Sequence, residues 1–181
     1  MSMAKAAATP LTLDEARRIL GEMGAPCVRE LGLTVEAVAG NKVRLKMLNT
    51  PHVRHGGGVV CGQSLMSLAD TAMVIGLSAA LGRFLPMTTV TQTTHFLRAI
   101  REGDVVAECR ILRMGRNLAF GEVMIYAEGG IDPAVQVTST YALIGEKAAK
   151  CARPSSSSPP DRPAGARRRL CARPDSRAAS C

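Results

Sequence analysis

Between Arg54 and Arg83 the chain carries one charged side chain, Asp70. It lies in a run that opens with His55-Gly56-Gly57-Gly58 and continues through small and apolar residues to Gly82. Apolar residues recurring at helical spacing over so long a stretch predict a helix over 63–82, buried at the centre of a fold. The stretch approaches the length of a membrane span. Asp70, Gln63, Thr71, three serines and two glycines within it make a core helix the expected outcome, with no membrane partner. An ionised carboxylate in such a setting is costly unless it is paired or hydrogen-bonded. Asp70 is therefore a candidate general base or nucleophile, with a structural acid as the alternative.

The segments on either side of this helix read as strands. Thr12-Leu13-Asp14-Glu15 is a capping box that opens a short amphipathic helix from Leu13 to about Met23, closed by Gly24 and Pro26. Leu31 to Ala39 and Val43 to Leu48 flank the turn Gly40-Asn41. The second of them alternates Val43, Leu45 and Met47 against Arg44 and Lys46, as a half-buried hairpin arm does. After Pro86, period two returns in Thr88 to Leu97, in Val105 to Ile111, in Leu118 to Ala127 and in Ala134 to Ile144. Turns are expected at Glu102-Gly103-Asp104, Gly115-Arg116-Asn117 and Gly129-Gly130. The reading is an antiparallel meander curved around one long central helix, an α+β arrangement.

Composition divides the chain into a domain over 1–146 and a basic, low-complexity tail over 147–181. From Cys151 onward the sole large aliphatic residue is Leu170, so this stretch cannot offset its own ordering entropy and is expected to be disordered. A GC-rich message read in a shifted frame would show the same Arg, Ala, Pro and Ser bias. The tail's seven arginines and two aspartates account for most of the formal net charge of +8, which leaves the folded part mildly basic. No aromatic residue interleaves that charge, so no nucleic-acid partner is expected. None of the six cysteines forms a C-x-x-C pair, and His52, His55 and His95 do not fall at zinc-ligand spacings. No metal or other cofactor is therefore expected. Met1 to Pro10 has no sustained apolar stretch, and a cytoplasmic protein with reduced thiols is the expectation.

Four pieces occur in order on these elements: Ser67-Leu-Ala-Asp-Thr-Ala72, Thr94-His-Phe-Leu-Arg-Ala99, Gly103-Asp104 and Gly115-Arg-Asn-Leu-Ala119. With them the stretch from Leu33 to Ile144 resembles the hotdog-fold acyl-CoA thioesterases, specifically the PaaI-type group of the 4-hydroxybenzoyl-CoA thioesterase superfamily. The resemblance implies an acyl-CoA substrate and a homodimer or homotetramer with each active site at a subunit interface. It implies Asp70 as the acid that attacks the thioester carbonyl or activates a water. Thr89 matches a position where relatives place a water-orienting hydroxyl, with β propensity as the plainer role.

The family pattern has an Asn, then His-Gly-Gly six residues later, then the acid nine residues after that His. Asn49 and His55-Gly56-Gly57 keep the first spacing, but Asp70 lies fifteen residues beyond His55. Either Cys61-Gly62-Gln63 fills the His-Gly-Gly place, or the loop is longer by six residues. An oxyanion donor belongs at a helix N-terminus, which favours the Gly62 N–H. His55, Gly56 and Gly57 then form a substrate-lining flap or a plain turn. Asn49 and Gln63 either polarise the substrate or satisfy loop backbone. Arg98, Arg101, Arg113 and Arg116 are near turns and could meet coenzyme A phosphates, Arg98 and Arg116 being the substrate-binding candidates. His95 reads as a structural histidine. A non-catalytic acyl-CoA-binding protein is the alternative function. A hotdog hydratase is disfavoured, because no paired His follows Asp70 at the spacing such chemistry needs.

Overall fold

The structure, a computed structural model, describes residues 10–144. The tail expected over 147–181 and the first nine residues lie outside that range. Helix α1 (Leu13–Met23) starts at the expected capping box. The Thr12 hydroxyl accepts the Glu15 N–H at 3.2 Å, and the Glu15 carboxylate accepts the Thr12 N–H at 2.9 Å. A single helical turn, α2 (Pro26–Arg29), follows where the sequence suggested only a break. Strands β1 (Leu33–Ala39) and β2 (Lys42–Met47) form the expected hairpin. A 3-10 turn (Pro51–Val53) leads to helix α3 (Gly62–Leu81), which ends at Gly82 in the left-handed region, φ 71°. Strands β3 (Met87–Phe96), β4 (Val105–Met114), β5 (Leu118–Ala127) and β6 (Val135–Leu143) complete the described residues.

The six strands make one antiparallel sheet in the order β1-β2-β4-β5-β6-β3. The meander reading therefore holds for β4 to β6 but not for β3, which lies beside β6 at the far edge. Helix α3 is the reason. Its 20 residues extend about 30 Å across the sheet, so the strand that follows it begins on the opposite edge. The face that α3 covers is built by alternation: Val105, Ala107, Cys109 and Ile111 of β4, Val123 and Ile125 of β5, and Val135, Val137 and Tyr141 of β6 are all buried.

Two glycines set how closely helix and sheet approach. A Cβ on Gly76 would lie 2.8 Å from Cys109 Sγ, and one on Gly121 would lie 2.6 Å from Met73 Sδ. Helix α3 is long and apolar enough to cross a membrane, yet 61% of its apolar window is buried inside the fold, as a core helix should be. Cys109 illustrates how dry this interior is: burial pushes its thiol up to about 12, so it is a neutral packing group.

Candidate functional site

Asp70 occupies the middle of α3, half-buried where the helix meets β3 and β6. Its Oδ1 accepts the Thr89 hydroxyl at 2.8 Å and also the Tyr141 hydroxyl, which is within 3.0 Å of the Asp70 main-chain oxygen as well. Thr89 and Tyr141 are cross-strand partners on β3 and β6, so the register of the two strands places both hydroxyls under the carboxylate. Tyr141 is 1% exposed. Burial, then the Asp70 carboxylate, raise its hydroxyl above the ordinary tyrosine value, which keeps it a neutral proton donor. Sequence reading reached Asp70 and Thr89 but passed over Tyr141. A signal was available: a chain with two tyrosines places one on the inward-facing positions of its last strand, where a phenol needs a partner.

Gly62 is the first residue of α3, with Cys61 as its N-cap in extended backbone (φ −72°, ψ 147°). As the first helical residue it has an N–H with no acceptor inside the helix, and the helix dipole adds positive potential there. Cys61 Sγ is 3.0 Å from Ser64 Oγ, and Phe96 of β3 lies directly against Gly62. Beside them Val59, Val60, Leu65, Leu97 and Ile100 line an apolar groove of about 290 Å³. Gln63 is exposed in the same helical turn.

The other candidates separate by location. His55-Gly56-Gly57-Gly58 is a closed turn rather than a flap. His55 Nδ1 accepts the Gly57 N–H at 2.9 Å, the Gly58 N–H donates to His55 O at 2.9 Å, and the Arg54–Val60 bridge closes its base. The helix N-terminus falls at Gly62, not at Gly56 or Gly57. Asn49 is committed to the loop: its Nδ2 donates to Gly103 O at 2.9 Å and its Oδ1 accepts Arg54 Nε at 2.8 Å. Arg98 pairs with Asp132 at 2.6 Å beyond the end of β3 on the Gly62 side. Arg116 is exposed in the β4–β5 turn, on the Asp70 side, because Leu143 N–H donates to its neighbour Asn117. His95 is exposed on the outer face of β3 rather than being a buried structural histidine. A second groove, about 400 Å³, lies on the sheet face away from α3 among the ion pairs of Arg44 with Glu36 and Glu108 and of Arg110 with Glu122, remote from Asp70.

Gly62 and Asp70 thus lie apart along one helix. Eight residues of helix separate Gly62 from Asp70, about 12 Å along the axis, too far for one acyl carbonyl to meet both.

Residues 57–134 match the family model described as the Thioesterase superfamily. In structure the chain is similar to a protein of Silicibacter sp. TM1040 described as a thioesterase (26% identity, TM-score 0.68, covering 75% of this chain and 93% of that one). It is also similar to zebrafish thioesterase superfamily member 2 (22%, 0.66, 74% and 99%) and to the PaaI protein of E. coli (18%, 0.63, 74% and 97%). In sequence it is similar to the Thermoplasma acidophilum protein Ta0293, named as an esterase, with 24% identity over 97 residues, 53% of this chain and 72% of that one. The six-stranded antiparallel sheet and its long central helix are the hotdog fold of these proteins.

Proposed function

We propose that this chain, whose residues 57–134 match the Thioesterase superfamily model and whose fold is the hotdog fold, hydrolyses an acyl-CoA thioester to the free acid and coenzyme A. The observation that carries the reading is how α3 lies along the edge strand. Gly62 meets Phe96, the Met66 carbonyl accepts Gln92 Nε2 at 3.2 Å, and Asp70 meets Thr89. Met66 is midway between Gly62 and Asp70. A two-fold axis near Gln92 that pairs β3 with the β3 of a second copy therefore sets Gly62 of one protomer against Asp70 of the other. Val90, Phe96, Leu97 and Met66 are exposed apolar residues along that edge, and they support its being covered by a second copy.

In that dimer the thioester carbonyl oxygen accepts the Gly62 N–H, which stabilises the charge that develops on it. The acid from the other protomer then acts in one of two ways. Asp70 attacks the carbonyl carbon and expels the thiolate, leaving a mixed anhydride for water to open. Alternatively it takes a proton from the water that attacks. The apolar groove beside Gly62 suits an acyl chain, and Arg98 or Arg116 suits the phosphates of coenzyme A. A second reading, an acyl-CoA-binding protein without turnover, has one observation in its favour: Cys61 occupies the N-cap where the resemblance has His.

Thiol release from a panel of acyl-CoAs by the full chain and by Asp70→Asn tests the proposal. Turnover by the native chain and a loss of roughly 10²- to 10⁴-fold in a folded Asp70→Asn are expected. Near-native turnover in Asp70→Asn returns Asp70 to a structural role. Binding of acyl-CoA with no thiol release from any member selects the second reading.

A further inference from the structure

The two hydroxyls at Asp70 both point at one oxygen. Thr89 and Tyr141 each donate to Oδ1, while Oδ2 has no hydrogen-bond partner among the described residues. A carboxylate oxygen offers two lone-pair directions, so Oδ1 is fully engaged and Oδ2 is the oxygen left open. We propose that Tyr141 is a positioning residue of the hydrolytic site and that, with Thr89, it makes Oδ2 the reacting oxygen of Asp70. The inference rests on the hydrolytic reading of Asp70 given above.

The two donors differ in rigidity. Thr89 is on the exposed edge strand, whereas Tyr141 is on β6, paired with Thr89 on one side and Ala119 of β5 on the other, and its ring is buried in the core. Rotation of the Asp70 carboxylate would exchange its oxygens, and it would have to break both hydroxyl bonds to do so. The tyrosine, also within reach of the Asp70 main-chain oxygen, fixes the carboxylate relative to the helix backbone. On the nucleophilic route Oδ2 forms the bond to the acyl carbon, the C–S bond breaks and the thiolate leaves with its electron pair. Oδ1 becomes the anhydride carbonyl oxygen and still faces both donors. On the base route Oδ2 takes the proton of a water whose oxygen bonds the acyl carbon, and that proton passes to the departing thiolate. Either way the engaged oxygen stays outside the bond changes.

The test compares the full chain with Tyr141→Phe and Thr89→Val, with Asp70→Asn as baseline. The readouts are steady-state kcat and KM for thiol release, melting temperature, and the ¹³C resonance of the Asp70 carboxyl at neutral pH, assigned by its absence in Asp70→Asn. The titratable groups that face this corner are Asp70 on α3, Tyr141 on β6 and the Cys109 thiol on β4. No ion pair reaches the carboxylate among the described residues. Tyr141→Phe is expected to fold and to keep its KM while kcat falls on the order of 10- to 100-fold, the effect of one hydrogen bond to a charged group. The Asp70 carboxyl resonance is expected to move, because a hydrogen bond to Oδ1 is lost. Thr89→Val is expected to act in the same direction. Unchanged kcat and an unchanged Asp70 carboxyl resonance in folded Tyr141→Phe overturn the proposal. Should Tyr141→Phe not fold, the wild-type tyrosine hydroxyl proton decides: a resonance lost in Asp70→Asn supports the bond, and one unaffected by that change overturns it. A native chain inactive on every acyl-CoA defeats the hydrolytic reading alone, and the carboxyl resonance still reports whether Tyr141 holds Asp70.

Discussion

Replacing Gly62 with proline removes the one atom the oxyanion assignment depends on while sparing the helix. Proline has no N–H, and the first helical position is where its fixed φ and missing donor cost least. The residue before it must be extended, and Cys61 already is, at φ −72° and ψ 147°. A Cβ at this position lies 3.2 Å from the tip of the Phe96 ring. Phe96 is 53% exposed in the single chain but lies along the edge that the proposed dimer covers, so displacing it has a cost. Gly62→Ala adds the same Cβ and keeps the N–H, so it measures that conflict alone. Removal of an oxyanion-hole donor typically costs about 10²- to 10³-fold in kcat, roughly 2.7–4 kcal/mol of transition-state stabilisation. Thiol release by the native chain, Gly62→Ala and Gly62→Pro, with circular dichroism and melting temperature on each, should show a modest loss for alanine and a further loss of that size for proline at similar helicity. A folded Gly62→Pro that turns over within a few-fold of Gly62→Ala would falsify the assignment of this N–H.

The crossed half-sites make a second expectation arithmetical. Asp70→Asn and Gly62→Pro are each inactive alone, but a mixed dimer has one site with both lesions and one with none. Unfolding and refolding an equal mixture should therefore recover about one quarter of native turnover per chain, and no recovery on confirmed subunit exchange would place both groups in a single chain. The Lys46 cluster predicts a pH dependence of stability. Lys46 bonds Glu128 at 2.8 Å and Asp104 at 3.0 Å, and these partners hold its ammonium up at about 12. Its contribution is present below the ordinary lysine value of 10.5 and is lost as pH rises through the folded one. The Asn49 N–H, then Lys46, hold the Asp104 carboxyl below its ordinary value, so that contribution is lost as pH falls through the folded value. Melting curves of Lys46→Met against the native chain should differ most at neutral pH and converge above about pH 12. A constant difference across that range would mean the cluster does not titrate as described.

Features set by neighbouring residues were legible in the sequence. The capping box at Thr12, the left-handed Gly82 and the alternation of Val43, Leu45 and Met47 place their elements to within a residue or two, because each depends on contacts a few positions away. The place of β3 was not legible by such means. A strand dense in β-branched residues is compatible with any sheet position, and only the span of α3 across the sheet sends this one to the far edge. Asp70 stood out as the lone charge of a buried helix. Tyr141 did not, because its role depends on a pairing with Thr89 across 52 residues of sequence. Asn49 shows a different limit. Its amide chemistry suits a substrate or a loop equally, and only the positions of Gly103 and Arg54 decide between them.

The order of synthesis gives the edge position of β3 a kinetic meaning. Among the described residues β3 has one strand partner, β6, and Asp70 precedes Tyr141 by 71 residues. At translation rates of about 5–20 residues per second, the helix that carries the acid waits roughly 4–14 s, and the strand beside it roughly 3–10 s, for the segment that pairs them. During that interval β3 exposes two unpaired edges rather than one, and the core face under α3 lacks its last strand. Closing this long-range contact is the slow, entropically expensive step of such a topology. It is also the step that delivers the Tyr141 hydroxyl to the carboxylate, so the environment of Asp70 is completed only when the last strand docks.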